Sequence, residues 1–373
     1  MEGMVTDITR QTITVNGTTY PAAEATAQKG GLSRLQILFR QTYGTDSFEA
    51  SLADFLTEWF DGKPTLKVHT SGSTGTPKEL WVEKERMMNS AVLTVSFLGL
   101  KKGDSTMLCM PLQYIAGKMV VVRALVAGLN LIPVAPCGRP MKGMKEAPVF
   151  SAMIPMQVFN SLQETEDCTL LKRIKHLIIG GGAIDADLGE KLKTFPEAVW
   201  STYGMTETLS HIALRRLSGP DASLWYTPFH NVSLSQSDEG TLVIEAPSVN
   251  PERLVTNDIV EFNEKGQFRI LGRKDNTINT GGVKVQIEQV EELLKEYLSC
   301  PFQITAAPDP KFGERIVLLL ENENGPAHGY LEKIFEKLPS YWRPKQIIYI
   351  ENLPLTGSGK PDRATARQIA ARH

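Results

Sequence analysis

The chain has 373 residues, 42% hydrophobic, 22% charged and 8% aromatic, the composition of a folded protein and not of a disordered or low-complexity one. Forty basic side chains against forty-two acidic ones leave a net charge of −2, which argues against a general electrostatic grip on nucleic acid or an anionic membrane. No apolar run approaches the roughly 20 residues of a membrane span. The N-terminus carries early acids and no hydrophobic signal core, and four scattered cysteines without a CxxC pair fit reduced thiols in a cytoplasm.

In chain order, the first twenty residues predict a hairpin, because Ile13–Val15 and Thr18–Tyr20 flank the two-residue turn signature Asn16-Gly17. Apolar residues at three- and four-residue spacing predict helices around Leu32–Tyr43 and Phe48–Phe60. Short apolar runs then alternate with helical patterns, the runs beginning at Leu66, Ser105, Leu129, Ala147, His176 and Ala198. Strands alternating with helices imply crossover connections and a largely parallel sheet with helices on both faces. Past Gly219 shorter strands and turns predict an antiparallel β region. The last hundred residues read as helix Glu288–Tyr297, two strands, helix Tyr330–Leu338, a strand and a final basic helix. The expected fold class is therefore α/β. A large N-terminal region (1–272), with parallel sheets flanked by helices plus a β subregion, precedes a hinge (273–277) and a small mobile α+β C-terminal domain (278–373).

The strongest local signal is Thr70-Ser71-Gly72-Ser73-Thr74-Gly75-Thr76-Pro77-Lys78, directly after the run at Leu66. Alternating hydroxyls and glycines let backbone N–H groups curl around an anion, and Lys78 adds a positive charge. A flexible linker has similar composition, but the fixed-φ proline and the closing lysine favour a phosphate loop. It is not a Walker A motif, since Pro77 stands where that motif needs glycine and no Ser or Thr follows the lysine. The loop resembles the signature of the adenylate-forming superfamily that includes acyl-CoA synthetases, luciferases and peptide-synthetase adenylation domains. Four further stretches match that family in the same order: Tyr203-Gly204-Met205-Thr206-Glu207, Thr256-Asn257-Asp258, Gly272-Arg273-Lys274-Asp275 and Pro354-Leu355-Thr356-Gly357-Ser358-Gly359-Lys360. The resemblance runs from about Leu66 to the C-terminus.

What the resemblance implies is an AMP-forming ligase that uses ATP, Mg²⁺ and CoA to activate a small carboxylic acid. Ser71, Gly72, Ser73, Thr74, Gly75 and Lys78 would hold the phosphates, and Gly181, Gly182 and Ala183 would lie beside adenine. Tyr203 would stack on adenine next to Gly204, Thr206 would touch the α-phosphate, and Glu207 would bind the metal. Asp258 would take the ribose hydroxyls with support from Arg273, and Asp275 would be the pivot between half-reactions. Gly281, Gly282 and Lys284 would line the path of CoA, while Lys360 would bridge the carboxylate and the α-phosphate during adenylation.

On the acid side, Pro111-Leu112-Gln113-Tyr114-Ile115-Ala116-Gly117 resembles the family motif that lines the acyl pocket, through Tyr114 and Gly117. No aspartate stands between Asp104 and Asp167 to pair an α-ammonium, which weighs against an amino acid. Arg123 interrupts a nearly all-apolar helix, and a buried guanidinium needs an anion or a route to water; a snorkelling surface arginine is the plainer reading. The short o-succinylbenzoate–CoA ligases of menaquinone biosynthesis resemble the chain in having a basic residue here and Ser210 after the adenine motif, and their substrate has a second, aromatic carboxylate. Another aryl- or acyl-CoA ligase, or an adenylation domain that loads a carrier protein, is the alternative. A nucleotide binder without turnover is a third reading, against which Lys360 and Glu207 both argue. The expected partners are small molecules and not nucleic acid, in the cytoplasm, with a homodimer left open.

Overall fold

The structure, a computed structural model, describes residues 3–26, 31–69, 79–182, 184, 186–321, 328–355 and 361–373. Two compact units divide it: Met1–Leu234 with Glu245–Arg253, and Ser235–Ile244 with Leu254–His373. The first unit begins with β1 (Thr12–Val15), β2 (Thr18–Pro21), α1 (Ala22–Ala25), α2 (Arg34–Tyr43), α3 (Phe48–Trp59), β3 (Thr65–His69) and β4 (Glu79–Glu83). It continues with α4 (Lys84–Leu98), β5 (Ser105–Leu108), α5 (Ile115–Ala127), β6 (Asn130–Pro133), β7 (Phe150–Met153), α6 (Pro155–Leu162) and α7 (Thr165–Leu171). Then come β8 (His176–Ile179), α8 (Ala186–Lys193), β9 (Ala198–Gly204), β10 (His211–Arg216) and β11 (Thr227–Pro228).

Nine of these strands form one sheet in the order β11-β10-β9-β8-β7-β5-β6-β1-β2. Every pairing from β1 to β9 is parallel, and the margins β1–β2, β9–β10 and β10–β11 are antiparallel. The predicted α/β class holds. The Asn16-Gly17 turn also forms, with both residues at positive φ and Val15 opposite Thr18.

Two placements differ from the reading of the sequence. The N-terminal hairpin joins the large sheet, because Thr14 pairs with Asn130 of β6. The run at Leu66 does not join it: β3 pairs antiparallel with β4 in a separate two-stranded ribbon, His69 opposite Glu79. The reason lies in the strand's own pattern. Leu66 and Val68 are fully buried while Lys67 between them faces out, and one-faced burial suits a ribbon, whereas strands of a covered parallel sheet bury both faces.

One face of the sheet is packed by α6, α7 and α8 through Met107, Met153, Leu177, Ile179 and Val199 against Val158, Leu171, Leu188 and Leu192. The helix α5 stands outside that cluster and packs against α4, β1, β5 and β6. All of its residues from Gly117 to Ala127 are buried, so it is buried all round instead of along one stripe. Gly128, left-handed at φ +66, ends it by donating its N–H to the Ala124 carbonyl.

The second unit holds most of a four-stranded sheet, β12 (Ser233–Gln236), β13 (Thr241–Ala246), β14 (Asn250–Phe262) and β15 (Phe268–Arg273), paired in that order. A turn of 3₁₀ helix, Lys274–Asn276, leads to β16 (Thr277–Thr280), β17 (Val283–Gln286), α9 (Ile287–Lys295), β18 (Phe302–Asp309), β19 (Gly313–Glu321), α10 (His328–Phe335), β20 (Gln346–Ile350) and α11 (Arg363–Arg372). Central β19 is apolar from Ile316 to Leu320, where both of its faces are covered. Ile316, Leu318 and Leu320 meet α9 and α10, while Val317 and Leu319 meet Ala366 and Ala370 of α11.

Candidate active site

Helices wind off the two sides of β5, which lies between β6 and β7, and in such sheets ligands bind beyond the carboxyl ends of the strands at this switch point. The motif residues of the first unit gather there. Pro111–Gly117 follows β5, Gly180–Gly182 follows β8, and Gly204–Ser210 closes β9. A Cβ on Gly117 would lie 2.5 Å from the Pro111 carbonyl oxygen, so the start of α5 is pressed onto the loop after β5. A Cβ on Gly204 would lie 2.3 Å from the Ser210 carbonyl oxygen and 2.5 Å from His211 Cα; both are backbone, so only glycine lets β9 and β10 cross here.

The loop between those strands is stiff. Thr208 is fully buried, its hydroxyl accepts the Met205 N–H at 3.0 Å, and it lies 2.8 Å from the Ser210 carbonyl. Leu209 sits at φ +64, a costly conformation for a branched residue, held by its N–H donating to Thr206 O at 2.9 Å. Thr206 is half-buried and Glu207 exposed. The Tyr203 ring is largely buried, edge-to-face with Tyr226 at 5.9 Å. Gly181, at φ +79, and Gly182 are exposed.

Arg123, which the sequence assigned to the acid side, is buried. It is 2% exposed, and its Nη2 donates to Ser210 Oγ at 2.7 Å. Among the described residues its Nε finds no acceptor and no carboxylate forms an ion pair with it. Burial alone pushes the guanidinium pKa down to about 9. The snorkelling reading is thereby set aside. Ser210 Oγ also lies 3.2 Å from His211 Nδ1, and His211 Nε2 lies 3.0 Å from Thr94 Oγ1. Burial and the Arg123 charge together push the His211 pKa well below its ordinary value. Neither His211 nor Thr94 was singled out in the sequence, where the only hint was a histidine following Ser210. Tyr114, at the exposed N-cap of α5, stands nine residues from Arg123, about 13 Å along the axis, so the two share a helix and not a contact.

In the second unit, Asp258 faces Arg273 across β14 and β15. Arg273 donates to Asp258 Oδ1 at 3.3 Å and to Asp275 Oδ2 at 2.9 Å, and Asn257 Nδ2 donates to the same Asp275 oxygen at 3.2 Å. Gly281 and Gly282, at φ +61 and +83, make the two-residue turn between β16 and β17. Lys284 is exposed opposite Asn279. Ser71, Gly72, Ser73, Thr74, Gly75, Lys78, Ala183 and Lys360 lie outside the described residues.

No cluster of three or more His, Cys, Asp or Glu that could hold a metal occurs among the described residues. Magnesium needs none, since it binds through one or two carboxylates with substrate phosphates and water. The exposed Glu207, its backbone carbonyl held by Asn250 Nδ2 at 3.0 Å, fits that requirement.

Residues 62–245 match the model of the family described as AMP-binding enzyme. The acyl-CoA synthetase (AMP-forming)/AMP-acid ligase II-like protein from Dyadobacter fermentans is 30% identical, with 87% of this chain and 95% of that one covered at a TM-score of 0.62. The chain belongs to the AMP-binding enzyme family. Among curated relatives, the 2-succinylbenzoate–CoA ligase of Listeria monocytogenes is 25% identical over 336 residues, 83% of this chain and 71% of that protein. The o-succinylbenzoate CoA synthetase of Bacillus subtilis, solved with its acyl-adenylate intermediate, shares the fold at a TM-score of 0.66 and 20% identity, covering 80% of this chain and 68% of that one. No helix among the described residues is long and apolar enough to cross a membrane.

Proposed function

We propose that the chain is an AMP-forming acid–CoA ligase and that its acid is o-succinylbenzoate. Family membership and the curated relatives support the reaction class. The observation that carries the substrate is Arg123, a buried cation held 2.7 Å from Ser210 Oγ with no carboxylate of its own among the described residues. Leaving a charge buried and unpaired costs several kcal/mol. A substrate with a carboxylate beyond the one being activated supplies the missing partner.

In this reading the succinyl carboxylate attacks the α-phosphorus of ATP, pyrophosphate leaves, and the CoA thiol then displaces AMP from the acyl-adenylate. The protein forms no covalent bond and contributes position and charge. Mg²⁺ held by Glu207 and the ATP phosphates would neutralise charge there. Ser71, Gly72, Ser73, Thr74, Gly75 and Lys78 hold phosphate; Gly181, Gly182, Ala183, Tyr203 and Gly204 surround adenine; Thr206 meets the α-phosphate. Asp258 takes the ribose with Arg273 beside it, and Gly281, Gly282 and Lys284 take CoA. Tyr114 and Gly117 shape the entrance for the acid, Arg123 and Ser210 its far end. Residues 278–373 turn about a hinge at 273–277, with Asp275 as its pivot. The reaction concerns small molecules and not nucleic acid, and belongs in the cytoplasm; a homodimer is compatible with it.

Pyrophosphate release from purified protein across a panel of aromatic and aliphatic acids tests the substrate, and o-succinylbenzoate is expected to lead it. Half-reactions test the chemistry. Lys360→Ala is expected to slow adenylate formation by roughly 10²–10³, the loss typical of one preorganised donor, and to spare thioester formation from synthetic acyl-adenylate. Asp275→Pro, which fixes φ at the pivot, is expected to do the reverse. If Lys360→Ala slows both steps alike, or neither, the lysine is not in this role.

A further inference from the structure

The side chains behind Arg123 form a single file: Thr94, His211, Ser210, Arg123. Thr94 is fully buried, His211 is 6% exposed and Arg123 2%, and Ser210 between the last two is half-buried. Thr94 Oγ1 lies 3.3 Å from the carbonyl of Ser90, one turn back on α4, and a carbonyl can only accept. With the threonine proton on Ser90, the same oxygen accepts from His211 Nε2 at 3.0 Å. That leaves Nδ1 bare, so it accepts the Ser210 hydroxyl proton at 3.2 Å. Ser210 then turns only lone pairs toward Arg123 Nη2, at 2.7 Å.

The opposite tautomer gives up a bond at one end and crowds the other. With the proton on Nδ1, the Thr94 hydroxyl would have to turn from Ser90 to donate to Nε2. Ser210 Oγ would then accept from both His211 and Arg123, and its own proton would have to find another partner. The ring itself is wedged edge-to-face against Phe229, 5.4 Å away. Burial and the nearby Arg123 charge both favour the neutral ring.

Building on the proposed substrate, we infer that His211, fixed as the Nε2–H tautomer by Thr94, is a positioning residue for recognition of the second carboxylate. It keeps the Ser210 hydroxyl turned away from Arg123, so Ser210 clamps one guanidinium nitrogen and leaves the others aimed at the incoming anion. The acid it serves is an aromatic or aliphatic dicarboxylate, bound at the end remote from the reacting carboxylate. No proton moves in this role.

Nitrogen-15 spectra of histidine-labelled protein read the tautomer of His211 directly, in the folded wild type and without any substitution. The expected state is neutral with the proton on Nε2. A proton on Nδ1, or on both nitrogens at neutral pH, overturns the inference. Kinetics with o-succinylbenzoate and with benzoylpropionate, which lacks only the ring carboxylate, read the consequence. Thr94→Val and His211→Leu are expected to raise KM for o-succinylbenzoate three- to tenfold with kcat within twofold, and to leave KM for benzoylpropionate nearly unchanged. His211→Asn, whose Oδ1 can stand where Nδ1 accepts, is expected to recover most of the loss. Equal changes for both acids, or none, would overturn the positioning role while Arg123 could still bind the carboxylate. A wild type that does not prefer the dicarboxylate would overturn this inference and the substrate proposal together.

Discussion

Two cations sit five residues apart on α5, both nearly out of water: Lys118 is 7% exposed and Arg123 2%. Lys118 is provided for. Its ammonium donates to the Lys67 carbonyl at 2.9 Å and to Glu58 Oε2 at 3.4 Å, and it lies over the Phe55 ring at 5.3 Å. Burial lowers its pKa, and Glu58 works against that shift. Among the described residues Arg123 has one neutral hydroxyl in place of a carboxylate and a ring. The difference separates structure from function along one helix. A buried charge satisfied by its own chain holds elements together, whereas one met among the described residues by a serine is, in the proposed function, completed by the anion of the substrate.

The contrast can be broken by substitution, and the largest effect is expected at Arg123. Arg123→Leu should raise KM for o-succinylbenzoate tenfold or more, about 1.4 kcal/mol or above, and affect monocarboxylic analogues much less. Equal loss for both kinds of acid would make the arginine as structural as the lysine. At Lys118 the expectation is the mirror image. Lys118→Met should cost about 1 kcal/mol in chemical denaturation, because Glu58 is 39% exposed and can return to water, and should leave both KM values in place. A KM shift there as large as that of Arg123→Leu would erase the distinction.

The smallest effect sharpens the comparison through pH. The native pKa of His211 lies well below its ordinary 6.5, so the unfolded chain takes up the proton first and stability falls as pH drops through that value. With the native ring neutral throughout, the loss between pH 7 and pH 6 is roughly 0.7 kcal/mol. His211→Gln should remove that share of the pH dependence, measured as the difference between the two denaturation profiles. A steeper profile in the variant would mean that His211 is charged in the native protein.

Local features of this fold were open to a reading of the sequence. Asn16-Gly17 encodes its own turn, the helices around α2 and α3 show their spacing, and the runs that became β5 to β9 are recognisable by composition and order. Pairings between distant segments were not. Nothing near Thr14 indicates that its neighbour is Asn130, and the alternation in Leu66-Lys67-Val68 separates ribbon from sheet only once burial is known. The candidate site divides in the same way. Arg123 and Ser210 were each legible, one as a charge in an apolar helix and the other beside a motif, but their contact spans 87 positions. Thr94 and His211, 117 positions apart, carry no local signal, because a hydrogen bond between buried side chains leaves no periodicity in the chain.

The central claim is that Arg123 is kept buried at the expense of stability in order to receive an anion, and the melting temperature of Arg123→Met with and without o-succinylbenzoate tests it most directly. Methionine fills similar space without a charge to desolvate. The account predicts that the variant alone melts higher than the wild type alone, that the dicarboxylate raises the wild type, and that it leaves the variant where it was. A variant that melts lower and still gains as much from the dicarboxylate as the wild type would contradict it.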